Sequence, residues 1–592
     1  LAFVALFVGA FLVYSVVALA VAERTPAFAL LGVLGLAARG RRALVTIECV
    51  LVGAAGSAVG LALGTVFAWA ALRWLAGDLG GGYFRGIAPS LQVGPASALG
   101  FGALGIAVAV AGGLVPARAA ERLAPAQALK GLGGRADRPA RPVAGIVLVA
   151  LGGALALAPP VAGLPLAAYG AVAALIAGGV ALVPAAVDAL LARVPTPRAA
   201  LALLALRRAR HERRSATAAV AGVVASLALS VALVVMVQSF RNGVSDWLDI
   251  VLPADLYARP SGSSAAAQSA LPPAIEPAVA ALPGVRRVAA ARVRPLALAA
   301  DWPPVTLIAR RIDASTPLPL VGRVVPAPPG RTGVWVSEAV AALYRVGPGD
   351  TLRLPLGREG TASAPDAAPA APSAVAVHVA GIWRDYARQF GAIAIDANDY
   401  RRLTGDSRVD DLAIWLADRA DAAAVAAAVR SLLPDPQALE FASSGELRAL
   451  SLRIFDRSFA VTRYLQAVAI AVGLVGVAAS LSAQVLARRK EFGLLAHLGF
   501  TRREVQTLVT AETAVWVGAG AAIGVALGVV VAVVLVEVVN PQSFHWSMAL
   551  VLPAGRLLAL TAAVWAAGVA TAAWSARGAL GMSAVRAVRE DW

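Results

Sequence analysis

The sequence predicts a polytopic α-helical membrane protein of about nine spans, with one α+β extracytoplasmic domain inserted in the second of two repeats. Three observations carry that prediction: long apolar runs free of charge, an uneven distribution of arginine among the loops, and a single long polar insert. Composition agrees. Of 592 residues 59% are hydrophobic and only 15% charged, where a soluble chain carries roughly a quarter.

The apolar runs lie near 1–22, 49–72, 97–115, 143–160, 164–186, 216–238, 464–486, 513–536 and 557–576. A bilayer core needs roughly 20 helical residues, and lipid offers no partner for free backbone groups, so such runs fold as spanning helices. The weakest run is 143–160, rich in glycine and closed by Pro159 and Pro160.

Loops 23–42, 116–142, 193–214 and 487–505 and the tail 577–592 together hold 25 Arg and Lys. The alternate loops 73–96, 159–165 and 537–556 hold three: Arg73, Arg85 and Arg556. Arginine and lysine stay on the cytoplasmic side, so the first set and the C-terminus are assigned there. Topology thus accounts for the formal charge of +17, and no nucleic-acid partner is expected.

Cys49 is the single cysteine and sits in an apolar run, which points to packing and excludes an internal disulfide. His211, His378, His497 and His545 are scattered without ligand spacing, so no metal site is predicted. No catalytic residue is assigned either. His378 is the insert's only histidine and falls in a strand-like run, which leaves a Ser-His-Asp site without support.

The polar region spans about 200 residues between Phe240 and Tyr464 and alternates strand and helix patterns. VRRVAAARVRPLALAA, PVTLIARRI, VAVHVAGIWR and DDLAIWLAD read as strands. VWVSEAVAALYRVGPGDTLRLPL reads as strand, short helix, a turn at Gly347–Asp350, then strand, and ADAAAVAAAVRSLLP as a helix stopped by Pro434. The Pro/Ala/Ser-rich stretch 359–373 reads as a loop.

Sliding the chain by 464 residues lays FALLGVLG (Phe28–Gly35) on FGLLAHLG (Phe492–Gly499). The same shift lays Glu48 on Glu512, and Gly56, Gly60 and Gly64 on Gly520, Gly524 and Gly528. Glycines at spacing four predict close helix packing in both copies. Glu48 and Glu512, at the apparent starts of their spans, read as interfacial caps. The domain reading is a first repeat over 1–130, a two-span linker over 131–200, the first span of the second repeat over 201–240, the insert over 241–458, and the rest of the second repeat over 459–592. Because the chain opens at Leu1 inside an apolar run, and the first copy shows no insert, a piece of a longer protein is expected.

The charged loop RRKEFGLLAHLGFTRREV (Arg488–Val505) has its own local code. Glu491–Leu498 can form a short amphipathic helix, with Phe492, Leu495 and Leu498 on one side. Gly499 suits the left-handed cap that ends it. Thr501 and Glu504 then fit a capping box that starts the next helix.

That loop followed by a glycine-striped span resembles the signature of the FtsX-like permease family, the membrane subunits of MacB- and Lol-type ABC transporters. VWVSEAVAALYRVGPGDTLRL resembles their extracytoplasmic core domain. Two permease units in one chain, joined by two extra spans, are similar to the duplicated ten-span subclass of the family. The resemblance implies that Arg488, Arg489, Glu491, Phe492, Leu495 and Gly499 form a coupling helix that docks on a cytoplasmic ABC ATPase, itself a dimer. Phe28, Leu31 and Gly35 would be its degenerate first copy, since Pro26, Ala27, Ala37 and Gly40 replace Lys490, Glu491, Thr501 and Glu504.

ATP and Mg would then sit on the partner, with no cofactor on this chain. Its only two lysines, Lys130 after Leu129 and Lys490 after Arg489, cannot supply the Gly-Lys pair of a phosphate-binding loop. The resemblance further implies a multi-pass protein of the bacterial inner (plasma) membrane. Its role would be export or lipoprotein and lipid handling, with an extracytoplasmic accessory or lipoprotein as further partner. An alternative is regulation of an outer-face partner by the same motion. An ion-driven transporter is disfavoured, because the span centres carry essentially no ionisable residues.

Overall fold

The computed structural model describes the chain outside residues 1–8, 11–12, 15, 18–19, 22–23, 76–90, 124–141, 162–163, 212, 261–270, 300–301, 314–315, 357–373, 435–438, 461, 465, 469, 472–493, 496 and 581–592. It divides into two compact units. The first holds Leu1–Gln238, Arg457–Val538 and Leu550–Trp592; the second holds Ser239–Asp456 and Val539–Ala549.

Among the described residues these helices precede the sheet: α1 Thr25–Val33, α2 Ala38–Leu75, α3 Pro95–Glu121, α4 Val143–Ala156, α5 Leu166–Arg193, α6 Ala200–His211 and α7 Arg213–Val251. The second unit then supplies β1 Leu256–Pro260, α8 Ile275–Ala280, β2 Val285–Leu296, β3 Val305–Arg310, β4 Leu320–Val321, β5 Gly333–Ser337 and α9 Glu338–Tyr344. It continues with β6 Thr351–Pro355, β7 Ala374–Trp383, β8 Ala392–Asp396, α10 Ala397–Thr404, β9 Asp411–Leu416, α11 Ala422–Ser431, β10 Leu439–Ser443 and α12 Ser444–Ser458. Last come α13 Arg502–Val534, a π-helical turn Leu535–Val539, α14 Asn540–Phe544 and α15 Ala554–Leu580.

Among the described residues six helices are long and apolar enough to cross a membrane: Ala38–Ala70, Pro95–Glu121, Leu166–Arg193, Val220–Val251, Arg502–Phe544 and Ala554–Arg577. The run 143–160 yields only the 14-residue α4, which is too short for a roughly 30 Å core. The runs near 1–22 and 464–486 fall largely outside the described residues.

In the first unit α2 packs on α3, α4 on α5, and α13 on α5, α6 and α15. Tryptophans fix two of these contacts by reaching backbone carbonyls of the neighbouring helix. Trp516 Nε1 donates to Ala209 O at 3.2 Å, and Trp565 Nε1 to Ala514 O at 3.0 Å. In an apolar setting such a bond is worth more than in water, which suits Trp to this role.

The second unit is a ten-stranded mixed sheet in the order β10-β1-β9-β2-β3-β8-β5-β7-β4, with β6 added on β7. Among the described strands β3/β8 and β5/β7 run parallel and the other pairs antiparallel. Alternate residues of each strand face α8 and α11, where Leu256, Val288, Leu412 and Ile414 meet Ile275, Val279, Val425 and Val429. Further along, Leu307, Val336, Ile393 and Ile395 pack on Val340 and Tyr400 of α9 and α10. Successive side chains of a strand point to opposite faces, which gathers these residues on one side of the sheet. Ser337 caps α9, accepting from Val340 N at 3.3 Å, and also accepts from Ala392 N at 2.9 Å.

One sequence expectation changes here. Glu48 and Glu512 are not caps: α2 and α13 begin at Ala38 and Arg502, about three turns earlier, because helices continue past the apolar run into the charged loop. Among the described residues, a Cβ added to Gly56, Gly60 or Gly64 would meet nothing within 4 Å. The face of α2 used against α3 is another one, with a Cβ on Gly53 falling 2.7 Å from Ala109 Cβ.

Candidate functional site

The start of α13 is defined by a sharp break. Gly499 adopts φ +95°, a conformation open to glycine at little cost, and Phe500 N donates to Leu495 O at 3.1 Å across it. Thr501 Oγ1 then accepts from Glu504 N at 3.2 Å while Glu504 Oε2 accepts from Thr501 N at 2.8 Å, a reciprocal capping box. Leu495 and Phe500 pack on Val505, Val509 and Ala576. Leu494 and Leu498 point the other way, 63% and 69% exposed. Leu498, expected on the side of Leu495, is not covered as Leu495 is. Arg488, Arg489, Glu491 and Phe492 lie outside the described residues.

The first copy repeats the break. Gly35 has φ +98°, and Leu36 N donates to Leu31 O at 2.9 Å, the equivalent of the Phe500–Leu495 bond. Phe28 is buried against Val45, Cys49, Ala117 and Ala120, and Leu31 is exposed. Ala37 and Gly40 provide no side chains for a capping box.

At its other end α13 runs into the π-helical turn and α14, and the segment Val539–Ala549 belongs to the second unit. Ser547 is its anchor. Its Oγ donates to Glu338 Oε1 at 2.6 Å and accepts from Arg384 Nη2 at 2.7 Å; its N–H donates to Glu338 Oε2 at 3.2 Å. Tyr386 donates its hydroxyl to Ser547 O at 3.0 Å. Burial pushes the Tyr386 pKa up to about 12, so the phenol stays a neutral donor. Glu338 opens α9, where the helix dipole favours a carboxylate.

An aromatic cluster surrounds this clasp. Trp546 stacks on Phe240 at 4.6 Å between centroids and meets Tyr386 edge-on at 4.8 Å, while Phe240 also meets Phe455 at 4.9 Å. Asn540 Nδ2 donates to Trp546 O at 2.8 Å and holds the turn closed. Trp247 Nε1 donates to Arg384 O at 3.0 Å.

Comparison with known proteins places these features. The model of the FtsX-like permease C-terminal region matches residues 1–125 and 465–584, and that of the MacB-like periplasmic core domain matches 216–432. The chain belongs to the FtsX-like permeases of ABC transporters. An uncharacterised ABC transporter permease protein of Mycobacterium tuberculosis is 27% identical over 624 residues, covering 100% of this chain and 69% of the relative. Solved structures with some likeness include the periplasmic region of MacB from Actinobacillus actinomycetemcomitans (TM-score 0.25, 11% identity, 34% of this chain and 92% of that one). Another is the extracellular domain of the noncanonic ABC-type transporter YknZ from Gram-positive bacteria (TM-score 0.23, 12% identity, 32% and 98%). The assignment rests on the sequence matches, not on these.

The permease's two repeats differ in what surrounds the matching residues. Glu512 is 2% exposed and its Oε2 lies 3.6 Å from Arg208 Nε of α6, whereas Glu48 is half exposed and pairs with Arg24 at 3.1 Å. Gly520, Gly524 and Gly528 pack on Val220, Val224, Leu227 and Val231 of α7, whereas the first-copy glycines have no such neighbour among the described residues. The sequence reading missed Ser547, Glu338, Arg384 and Tyr386. One signal was available: Phe544 and Trp546 crowd a loop otherwise free to be small and polar.

Proposed function

We propose that the permease couples a separate cytoplasmic ABC ATPase to motion of its α+β unit, which lies on the outer face of the membrane, and that α13 is the transmitting rod. One observation carries this: a single continuous helix starts from a glycine break and a capping box and leads, through a π-helical turn, into the Ser547 clasp. A helix transmits displacement along its axis, and a clasp of charged and aromatic contacts delivers it to β5 and α9 without slack. The outward Leu494 and Leu498, with Arg488, Arg489, Glu491 and Phe492 before them, form the docking helix. Gly499 separates that helix from the rod so that it seats independently.

The first copy lacks the acid and the capping pair, so its hold on the ATPase is the weaker one. ATP and Mg bind the partner. The basic loops and the C-terminus face the cytoplasm, and the cargo is an exported compound, a lipid or a lipoprotein. The test is copurification of the full-length permease from crosslinked membranes beside Glu491→Lys. A stoichiometric ATPase that is lost from the variant supports the docking helix. An ATPase retained equally by both moves the contact elsewhere.

A further inference from the structure

The face of the sheet turned away from α8–α11 carries a cavity of about 380 Å³, within the size range of small-molecule sites. Register explains the hollow. Ala291 of β2 stands between Arg310 of β3 and Asp411 of β9, and Ala289 stands beside Ala413, which stands beside Tyr257. Same-face neighbours on adjacent strands sit about 5 Å apart, so Arg310 and Asp411 flank an alanine floor roughly 10 Å across. Trp415, Ile308 and Val293 continue the walls, and Trp247, Trp383 and Leu447 stand over them. A strand surface built on three alanines and ringed by tryptophans leaves room that ordinary core packing would fill.

The charges in the cavity do not balance. Arg259 pairs with Glu440, and Arg388 with Asp385. Asp411 has its charge offset by nearby Arg259 and Arg388, although burial and the adjacent Asp410 raise its pKa. Arg310 is left with one hydrogen bond, from Nη2 to Thr316 O at 3.3 Å, and neither it nor Arg311 makes an ion pair among the described residues. A guanidinium has five donors, so Arg310 retains most of its capacity. Burial lowers its pKa, opposed by the nearby Tyr257 hydroxyl and by Asp313, whose carboxylate pairs with Arg287.

We infer that this cavity binds an apolar organic anion, its hydrocarbon body on the Ala289–Ala291–Ala413 floor between the tryptophans and its acidic head on Arg310 and Arg311. A carboxylate or sulfonate matches the planar fork of arginine, and the aromatic walls favour a flat or flexible apolar body. The inference stands apart from the coupling reading, since binding here requires no ATPase.

The experiment is calorimetric titration of the full-length permease in lipid nanodiscs with 2-naphthoate, and with 2-naphthylmethylammonium as the cation of matched shape. Naphthoate is expected to bind at one site per chain and the cation not at all. Arg310→Ala should weaken naphthoate at least about tenfold while Arg310→Lys keeps most of the affinity. Ala413→Trp, which fills the floor, should abolish it. Equal binding of anion and cation, naphthoate binding undiminished in either Arg310→Ala or Ala413→Trp, or no wild-type binding at several millimolar would each overturn the assignment.

Discussion

Ser547 Oγ donates to Glu338 Oε1 across 2.6 Å, and this bond ties the turn that follows α13 to the first residue of α9. Arg384 and Tyr386 complete the same knot from the strand-to-turn segment after β7. Removing the serine hydroxyl takes one partner from Glu338 Oε1 and one from Arg384 Nη2, although the two side chains stay paired with each other at 3.4 Å. An unmet polar partner of this kind costs about 1–3 kcal/mol. Ser547→Ala should therefore lower the melting temperature of the second unit by a few degrees, followed by tryptophan fluorescence. Glu338→Gln, which keeps one acceptor, should lower it less.

The glycine stripes predict opposite responses in the two repeats. A Cβ on Gly528 would lie 2.6 Å from Val231 Cβ and 2.7 Å from Ala228 O, and backbone cannot yield. Gly528→Val should destabilise the first unit by about 1–3 kcal/mol or more through overpacking. At Gly64 an added Cβ meets nothing within 4 Å among the described residues, and Gly64→Val should be neutral within about 0.5 kcal/mol. Survival of each variant on size-exclusion chromatography after heating separates the two.

At the capping box, Thr501→Ala removes the acceptor for Glu504 N and should cost about 1 kcal/mol, confined to the first turn of α13. Hydrogen exchange over Arg502–Val505 should accelerate while the middle of α13 is unchanged. The equivalent Ala37→Thr in the first repeat, without an acid at Gly40, should gain less than a full box.

Asp406 gives the second unit an acid-sensitive contribution. Burial alone would raise its pKa, but hydrogen bonds from the Arg408 side chain and backbone, and from Arg292, bring it far below the ordinary 3.8. A carboxyl whose folded pKa is depressed stabilises the fold above its unfolded pKa and loses that contribution as pH falls toward the folded value. Asp406→Asn should cost about 2 kcal/mol at pH 7. The gap to wild type should narrow steadily below about pH 4. A gap independent of pH would contradict the assignment.

Some of this was legible in the residues and some was not, for physical reasons. Spans announced themselves because lipid admits only apolar helices, and the strand alternation at Val285–Leu296 and Asp411–Leu416 follows directly from one covered face. Gly499, Thr501 and Glu504 encode a local turn and are readable without tertiary context. Gly56, Gly60 and Gly64 are identical in pattern to their counterparts yet meet no neighbour among the described residues, because a stripe records what a helix permits and not which neighbour arrives. The Ser547 clasp joins positions 209 residues apart, and no local pattern marks such a meeting. The alanine floor was quoted as a strand, but only the register of β3, β2 and β9 shows it as a hollow between Arg310 and Asp411.

The central claim is that α13 carries displacement from the ATPase to the second unit through Ser547. Hydrogen exchange of the permease–ATPase complex, with and without a non-hydrolysable ATP analogue, tests it most directly in wild type beside Ser547→Ala. In wild type the nucleotide should change protection both over Arg502–Val505 and over Gly333–Tyr344. In the variant the first change should persist and the second disappear. An unchanged response over Gly333–Tyr344 in the variant, or no response there in wild type, would contradict the account.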